Sequence, residues 1–472
     1  MESRKFIKSG LILSAGSLIG ACSAFGRNVL IARYLSVENY GIATTFAIVM
    51  TLVEATSNIA IDRFIVQSKY GNNLETQKVC HFIEFIRGLL GAVFLFLSSG
   101  WIAALFNLQD LVWAYQMISV VPFIRGLLHL DVIRFQREQN FVPTVFLENL
   151  PQVISLVAVP VFALFLDDYM LMIGVILSQV FSTVIISHLF AMRNYRLGWG
   201  YTDFRAAMRF GWPLILNGML LFGVLQADRT IVGSFYSIEE LGWFGAAFAL
   251  SLFPASILSR VAQTFLLPKL AAVQENDGSF SFLSEVCISA CILLGSSLSM
   301  GLIVGGGAVL TLFYGPEYAL ANQVIAWLAL MQGIRVAKAG TVIVAIGKGK
   351  TKIPMYGNML RILMIPFGVY FAWVGADIVD VVLCGVLGEY LAFAGMLILM
   401  RRHTPSFGKL FFRFNFVFGA NLALTFMGLN GFFPGAELQQ IIWAFLVTFA
   451  VNLIFLLCMP DFFRWLKESL KT

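Results

Sequence analysis

The sequence predicts an all-α polytopic membrane protein with about 14 transmembrane helices, and three observations predict it. Of 472 residues, 59% are hydrophobic and 12% charged, against about 25% charged in an ordinary globular domain; the mean hydropathy is +0.84. Apolar runs of about 18 residues or more recur along the whole chain. The connections between them alternate between basic and acidic. This composition excludes a soluble enzyme, and helices of about 20 residues each leave no room for an independent soluble domain. A β-barrel is excluded as well, because barrel strands run about 10 residues with alternating polarity.

The spans fall near 9–33, 41–62, 79–105, 111–133, 143–166, 170–191, 207–235, 241–268, 284–313, 319–346, 354–375, 378–400, 411–428 and 438–459. Before the first, Arg4, Lys5 and Lys8 precede an apolar run ending in Ile19-Gly20-Ala21-Cys22, which imitates a lipoprotein signal and its cleavage box. The run continues to Leu35, so it is read as an uncleaved first helix. Basic connections are the N-terminus, 63–78, Arg134/Arg137, 193–209, Lys269, Lys348/Lys350/Lys352, 401–413 and the C-terminus. The intervening ones carry Glu38, Asp110, Asp167/Asp168, Glu239/Glu240, Glu317, Asp377/Asp380 and Glu437. The positive-inside bias then places both termini in the cytoplasm.

An internal repeat organises the chain. Leu35-Ser36-Val37-Glu38-Asn39-Tyr40-Gly41 follows the first span, and Tyr236-Ser237-Ile238-Glu239-Glu240-Leu241-Gly242 follows the seventh at a constant offset of 201. The same offset lays Gly10 on Gly211, Leu13 on Leu214 and Asn28 on Arg229, and Ile124-Arg125 matches Ile334-Arg335 at an offset of 210. Six helices separate each pair, so the halves share one orientation: two parallel six-helix repeats, as in transporters that bind substrate between lobes. The expected lobes are 1–200 and 201–403, with two further helices and a cytoplasmic tail over 404–472.

Three segments carry a family resemblance: Arg27-Asn28-x-x-x-Ala32-Arg33-Tyr34-Leu35-Ser36-x-Glu38-x-Tyr40-Gly41, Phe210-Gly211-x-Pro213-Leu214, and Asp228-Arg229. With the helix number and the repeat, the chain resembles the Wzx-type oligosaccharide flippases of the multidrug/oligosaccharidyl-lipid/polysaccharide exporter superfamily. The resemblance implies a MATE-like fold, with two six-helix bundles facing across a cavity. It also implies alternating access that moves an undecaprenyl-diphosphate-linked glycan from the inner to the outer leaflet of a bacterial inner membrane, for surface polysaccharides such as exopolysaccharide or O-antigen. Membrane lipid and polysaccharide polymerase or assembly proteins are the further partners it implies. Related peptidoglycan-precursor flippases carry an Arg-Asp pair where this chain has Arg27-Asn28, so a carboxylate role in the first helix is not carried over.

Charges inside the spans point to the site. A charge near the bilayer centre costs at least about 2.5–3.5 kcal/mol, so each needs a partner or an aqueous path. Cations predominate: Arg27, Arg87, Arg125, Arg229, Arg260, Arg335, Lys338 and Arg361, against Glu54, Glu84, Glu148 and Glu389, with Asp131 near a span end and Asp228 beside Arg229. Guanidinium forks match phosphate oxygens bidentately, so a cationic lumen suits a diphosphate. Arg125 and Arg335, at corresponding places in the repeats, are the leading pair, then Arg27 and Arg229, with Lys338. Asp228, Glu54 and Glu148 are the coupling or pairing carboxylates. The alternatives stay open: Arg125 and Arg335 pairing with Asp131, Glu148 or Glu389, Glu84 neutralising Arg87 three residues on, Asp228 finding a partner elsewhere than Arg229, and Arg260 and Arg361 snorkelling to the surface.

Other motifs are read as structural. Six cysteines form no CxxC pair, and His81, His129, His188 and His403 are scattered without a metal-ligand spacing, so no disulfide, metal or cofactor is expected. Gly349-Lys350-Thr351 lacks the first glycine of a phosphate-binding loop, Val344 standing in its place. Pro122, Pro151, Pro160, Pro213, Pro254 and Pro366 lie within spans, where each removes a backbone bond and can place a kink, and no gating role is assigned to them. Trp101, Trp113, Trp243 and Trp465 near span ends fit interface belts. A nucleic-acid partner is not expected, nor is catalysis. The rival functions are a drug or organic-cation antiporter of the same superfamily, which needs open carboxylates, and a membrane polysaccharide polymerase or ligase, which needs a long external loop.

Overall fold

The computed structural model describes residues 2–401 and 406–429, with isolated positions between 439 and 453, and side chains from residue 16 onward. Among the described residues all regular structure is helical. The order is α1 (Glu2–Tyr34), α2 (Val37–Ser57), α3 (Ile61–Gln67), α4 (Leu74–Leu105), α5 (Val112–Ile118), α6 (Val120–Gly126), α7 (Asp131–Arg134), α8 (Val142–Phe162) and α9 (Met170–Leu189). After a connection over 190–200 follow α10 (Tyr201–Phe235), α11 (Ile238–Ala272), α12 (Asp277–Tyr314), α13 (Asn322–Gly347), α14 (Lys352–Ile362), α15 (Ile365–Trp373), α16 (Ile378–Met400) and α17 (Phe407–Leu429). Among the described residues, ten helices are long and apolar enough to cross a membrane, or eleven if the pair Gln109–Gly126 and Asp131–Glu138, bent by 49°, is counted as one span. Helix α1 and the α14–α15 pair lie over two further expected spans. The span expected at 438–459 lies outside the continuously described residues.

Two of the six prolines break their helices. Pro122 has no N–H to give the Ile118 carbonyl, and α5 stops there, the Ser119 hydroxyl donating to the Gln116 carbonyl at 2.6 Å. Pro366 leaves the Ile362 carbonyl without its donor in the same way, and α14 ends at Ile362. Pro151 and Pro160 in α8, Pro213 in α10 and Pro254 in α11 stay inside continuous helices. Helices α10, α11 and α12, of 35, 35 and 38 residues, reach about 50 Å at 1.5 Å per residue. That exceeds the hydrocarbon thickness of about 30 Å, so each is longer than an upright crossing requires.

The repeated Ser-x-Glu-x-x-Gly segments prove to be helix starts. Ser36 caps α2, its hydroxyl accepting from the Asn39 N–H at 3.2 Å. Ser237 caps α11 more fully: its hydroxyl accepts from the Glu240 N–H (3.1 Å) while the Glu240 carboxylate accepts from the Ser237 N–H (2.7 Å), a reciprocal capping box. Ser237→Ala is therefore expected to cost about 1 kcal/mol, read as a lower apparent Tm in detergent.

By internal packing the chain forms two compact units. One comprises Met1–Phe222 with Ser237–Gly242; the other comprises Gly223–Tyr236 with Trp243–Thr472. The division falls inside α10, and the capped start of α11 packs with the first unit.

Candidate functional site

In the second unit, ionised groups from four helices converge. Asp228 lies on α10, Arg335 and Lys338 one turn apart on α13, Arg361 on α14 and Glu389 on α16. Glu389 is fully buried and takes Arg335 through Nε at 2.9 Å and Nη2 at 2.8 Å, and the Lys338 ammonium on its other oxygen. Arg361 Nη2 donates to both oxygens of Asp228 at 2.9 and 2.7 Å, and its Nε lies 3.6 Å from Glu389. Gln332 accepts from Arg335 Nη1 at 3.1 Å. Three cations thus meet two carboxylates, leaving one positive charge in excess among these five side chains.

Arg361 reaches Asp228 because α16 has no side chain in its way. A β-carbon on Gly388 would sit 2.7 Å from Arg361 Cδ, and one on Gly385 would sit 3.3 Å from both Arg361 Nη2 and Asp228 Oδ2. The two glycines, three residues apart on one face, form the trough in which the guanidinium lies. Arg361 is 1% exposed, so it is a buried bridge between carboxylates and does not snorkel.

Arg229, adjacent to Asp228 but on another face of α10, donates to Gln226 at 3.1 Å and places its guanidinium carbon 5.4 Å from the Phe248 ring centroid. Asp228 and Arg229 thus have different partners.

The first unit holds its cations differently. Arg27 on α1 donates from Nη1 to Gln152 (3.2 Å) and Ser155 (3.0 Å) on α8 and to Gln179 on α9. All three acceptors are neutral. Gln152 and Ser155 share a face at i, i+3, and the Ser155 hydroxyl donates to the Gln152 carbonyl (2.8 Å), which leaves its lone pair for Arg27. Among the described residues, Nε and Nη2 of Arg27 make no hydrogen bond. These two nitrogens form the side-on fork that fits two phosphate oxygens.

Arg125 on α6 pairs with Glu54 on α2 at 2.6 Å, the side chains 49% and 40% exposed. Arg87 is held by Glu84 at 2.6 Å within α4 and reaches Ser57 at 3.4 Å. Asn28 accepts from the Tyr40 hydroxyl at 2.7 Å, and Glu148 is exposed on α8. Arg125 and Arg335, equivalent by sequence, therefore differ: one sits in an accessible pair, the other in a buried network. Sequence reasoning did not single out Gln152, Ser155 and Gln179, and treated Glu389 only as a partner. The usable signals were the Gln-x-x-Ser spacing on α8 and the Gly-x-x-Gly-Glu run on α16.

A family model described as "Polysaccharide biosynthesis protein" matches residues 30–323. Stage V sporulation protein B of Bacillus subtilis (strain 168) is 31% identical over 170 residues, covering 34% of this chain and 33% of that protein. Amylovoran biosynthesis protein AmsL of Erwinia amylovora is 22% identical over 166 residues, 35% of this chain and 43% of its own length. The chain thus matches a third of the one and under half of the other. Among solved structures, lipid II flippase MurJ in an inward closed conformation aligns with a TM-score of 0.74 at 15% identity, over 96% of this chain and 99% of that one. An inward-facing multidrug resistance MATE family transporter of the MOP superfamily gives 0.61 at 14%, over 85% and 99%. These likenesses establish a MATE-like polytopic fold for a multi-pass membrane protein. Because the family match spans more than half of its length, the chain belongs to the polysaccharide biosynthesis protein family.

Proposed function

We propose that this protein is a flippase that moves a polyprenyl-diphosphate-linked oligosaccharide from the cytoplasmic to the outer leaflet of a bacterial inner membrane during surface polysaccharide assembly. The six-helix halves 1–200 and 201–403 would alternate access. The observation that carries the reading is Arg27: a guanidinium on α1, the expected first span, pinned through one nitrogen by neutral groups, with its phosphate-matching fork left open. The exposed Arg125–Glu54 pair supplies a second cation that an arriving anion can exchange onto, because such pairs hold by only about 0–1 kcal/mol. In the second unit Arg335, Lys338 and Arg361 hold one charge more than Asp228 and Glu389 cancel. Those two carboxylates are already taken, which speaks against an organic-cation antiporter built on them.

The test is translocation of a labelled polyprenyl-diphosphate glycan in vesicles holding the purified protein. Arg27→Lys keeps the charge and removes the fork. It is expected to slow translocation about tenfold or more, since one charge-assisted hydrogen bond contributes about 1.5–3 kcal/mol. Unchanged transport by Arg27→Lys would remove Arg27 from the site, and absence of transport by the folded native chain with a matched glycan would refute the flippase.

A further inference from the structure

Three histidines far apart in sequence meet in the first unit. The imidazoles of His81 (α4), His129 (between α6 and α7) and His188 (α9) surround the Tyr195 ring of the 190–200 connection. Ring centroids are 4.9 Å apart for His81–His129 and 5.1 Å for His129–His188; those of the three histidines lie 4.5, 5.7 and 5.3 Å from Tyr195.

Backbone groups fix the proton on two of the rings. His81 Nε2 accepts from the Leu130 N–H (3.0 Å), and its Nδ1 faces the Arg196 carbonyl (3.2 Å). His129 Nδ1 accepts from the Asp131 N–H (3.2 Å), and its Nε2 faces the Arg193 carbonyl (2.9 Å). A backbone N–H only donates and a carbonyl only accepts. Each ring must therefore be neutral, His81 carrying its proton on Nδ1 and His129 on Nε2. A second proton on either ring would set N–H against N–H and break the bond to the start of α7, while the ring bonds to the Arg193 and Arg196 carbonyls survive; what moves is therefore the Leu130–Asp131 segment, and with it the Asp131 carboxylate that accepts from the Met192 and Arg193 N–H groups.

We propose that His81 and His129 form a proton-operated latch that holds the start of α7 and, through Asp131, the 190–200 connection, and that releases both on acidification. His188 makes one ring bond, to the Leu127 carbonyl at 3.1 Å, and its ring packs edge-on against His129. The fastening is local and chemically complete. The carbonyls of Arg193 and Arg196 bind the two rings, the N–H groups of Met192 and Arg193 donate to Asp131 (2.9 and 3.2 Å), and Gly198 N–H donates to the Lys78 carbonyl (3.2 Å).

The surrounding charges do not replace the lost bonds. Asp131 is already held by Arg134 at 2.7 Å, with Gln77 at 3.3 Å and Arg193 Nε at 3.8 Å. The acid bearing on both rings is Asp131, whose charge favours a proton on either but whose oxygens are committed to the bonds just named, while Glu84 on α4 and Asp203 on α10 bear on neighbouring Tyr195 and Cys80. Burial, with Glu84 nearby, pushes the Tyr195 phenol up to about 12, so it stays neutral where imidazoles titrate, near pH 6.5. The direction follows: the fastened state binds fewer protons, so it is favoured above that range and lost as pH falls through it.

The latch stands apart from the glycan reading and is tested without transport. Hydrogen–deuterium exchange of the 190–200 peptide is measured on the full chain in nanodiscs at pH 7.5 and 5.5, corrected for intrinsic rates. Protection is expected to fall about tenfold in acid, the effect of two hydrogen bonds. His81→Gln with His129→Asn keeps an oxygen to accept from the Leu130 and Asp131 N–H groups, gives up the donors to the Arg196 and Arg193 carbonyls, and cannot titrate; with Asp131 held in place, the Met192 and Arg193 N–H groups are expected to stay protected at both values. No change in the native chain, or an equal acid loss in the double variant, overturns the latch. Should the double variant be unprotected already at pH 7.5, exchange at the histidine C2 positions of the native chain decides. Titration of His81 and His129 coinciding with opening sustains the latch; rings that stay neutral while the connection opens refute it.

Discussion

Glu389→Ala is expected to destabilise the protein by about 3–5 kcal/mol, the range for breaking a buried ion pair from one side. The carboxylate is fully buried, and three cations lean on it: Arg335 and Lys338 by direct bonds and Arg361 at 3.6 Å. Removing it leaves like charges close together in a medium that screens them poorly. Asp228 remains, but it is engaged by Arg361 at 2.7 Å. Glu54→Ala provides the control. Its partner Arg125 is equivalent to Arg335 by the repeat, but that pair is 40–49% exposed, and its loss is expected to cost under about 1 kcal/mol. Apparent Tm in detergent, compared for the two variants, reads the difference. Removing a cation together with the acid, as in Glu389→Ala with Arg335→Met, is expected to recover part of the loss, because the penalty is stranded charge more than lost attraction. Equal shifts for Glu389→Ala and Glu54→Ala would show that the second-unit network is not dry.

The contrast between these two pairs marks how far the sequence reaches. Hydropathy located the helices because a bilayer imposes its period on any chain that crosses it, and the Ser-x-Glu-x-x-Gly repeat was legible because helix caps are local. The excess of intramembrane cations was legible for the same reason. Partners were not: Asp228 and Arg361 are 133 residues apart, and nothing near either residue names the other. Pairing of Arg335 with Glu389 stood among the open alternatives, but burial, which separates it from Arg125–Glu54, is a property of packing. The histidines looked scattered because His81, His129 and His188 sit on three elements that only tertiary structure gathers. The prolines divide similarly. Pro122 and Pro366 end helices, whereas Pro151, Pro160, Pro213 and Pro254 do not, since the freed carbonyls can be satisfied by surroundings that a local pattern does not encode.

Gly41→Ala is the second change expected to act strongly, and its partner Gly242→Ala shows why. A β-carbon on Gly41 would fall on the Ile238 carbonyl oxygen, and one on Gly242 would fall on the Val37 carbonyl oxygen, both closer than real β-carbons approach. The contacts are reciprocal and related by the same offset of 201 that defines the repeat, so the two capped helix starts cross backbone to backbone at their glycines. Neither obstacle is a flexible side-chain end: each carbonyl belongs to the first turn of a helix, held by the Ser36 or Ser237 cap. Alanine improves helix propensity by about 1 kcal/mol, but overpacking against a fixed backbone costs about 1–3 kcal/mol or more, and here the upper part of that range applies. Each single variant is expected to lower the apparent Tm in detergent by an amount corresponding to about 2 kcal/mol net. The double variant is expected to lose clearly less than the sum, because the separation forced by the first methyl makes room for the second. Additive losses would mean that the two glycines serve independent contacts, and neutral singles would mean that the crossing yields without cost.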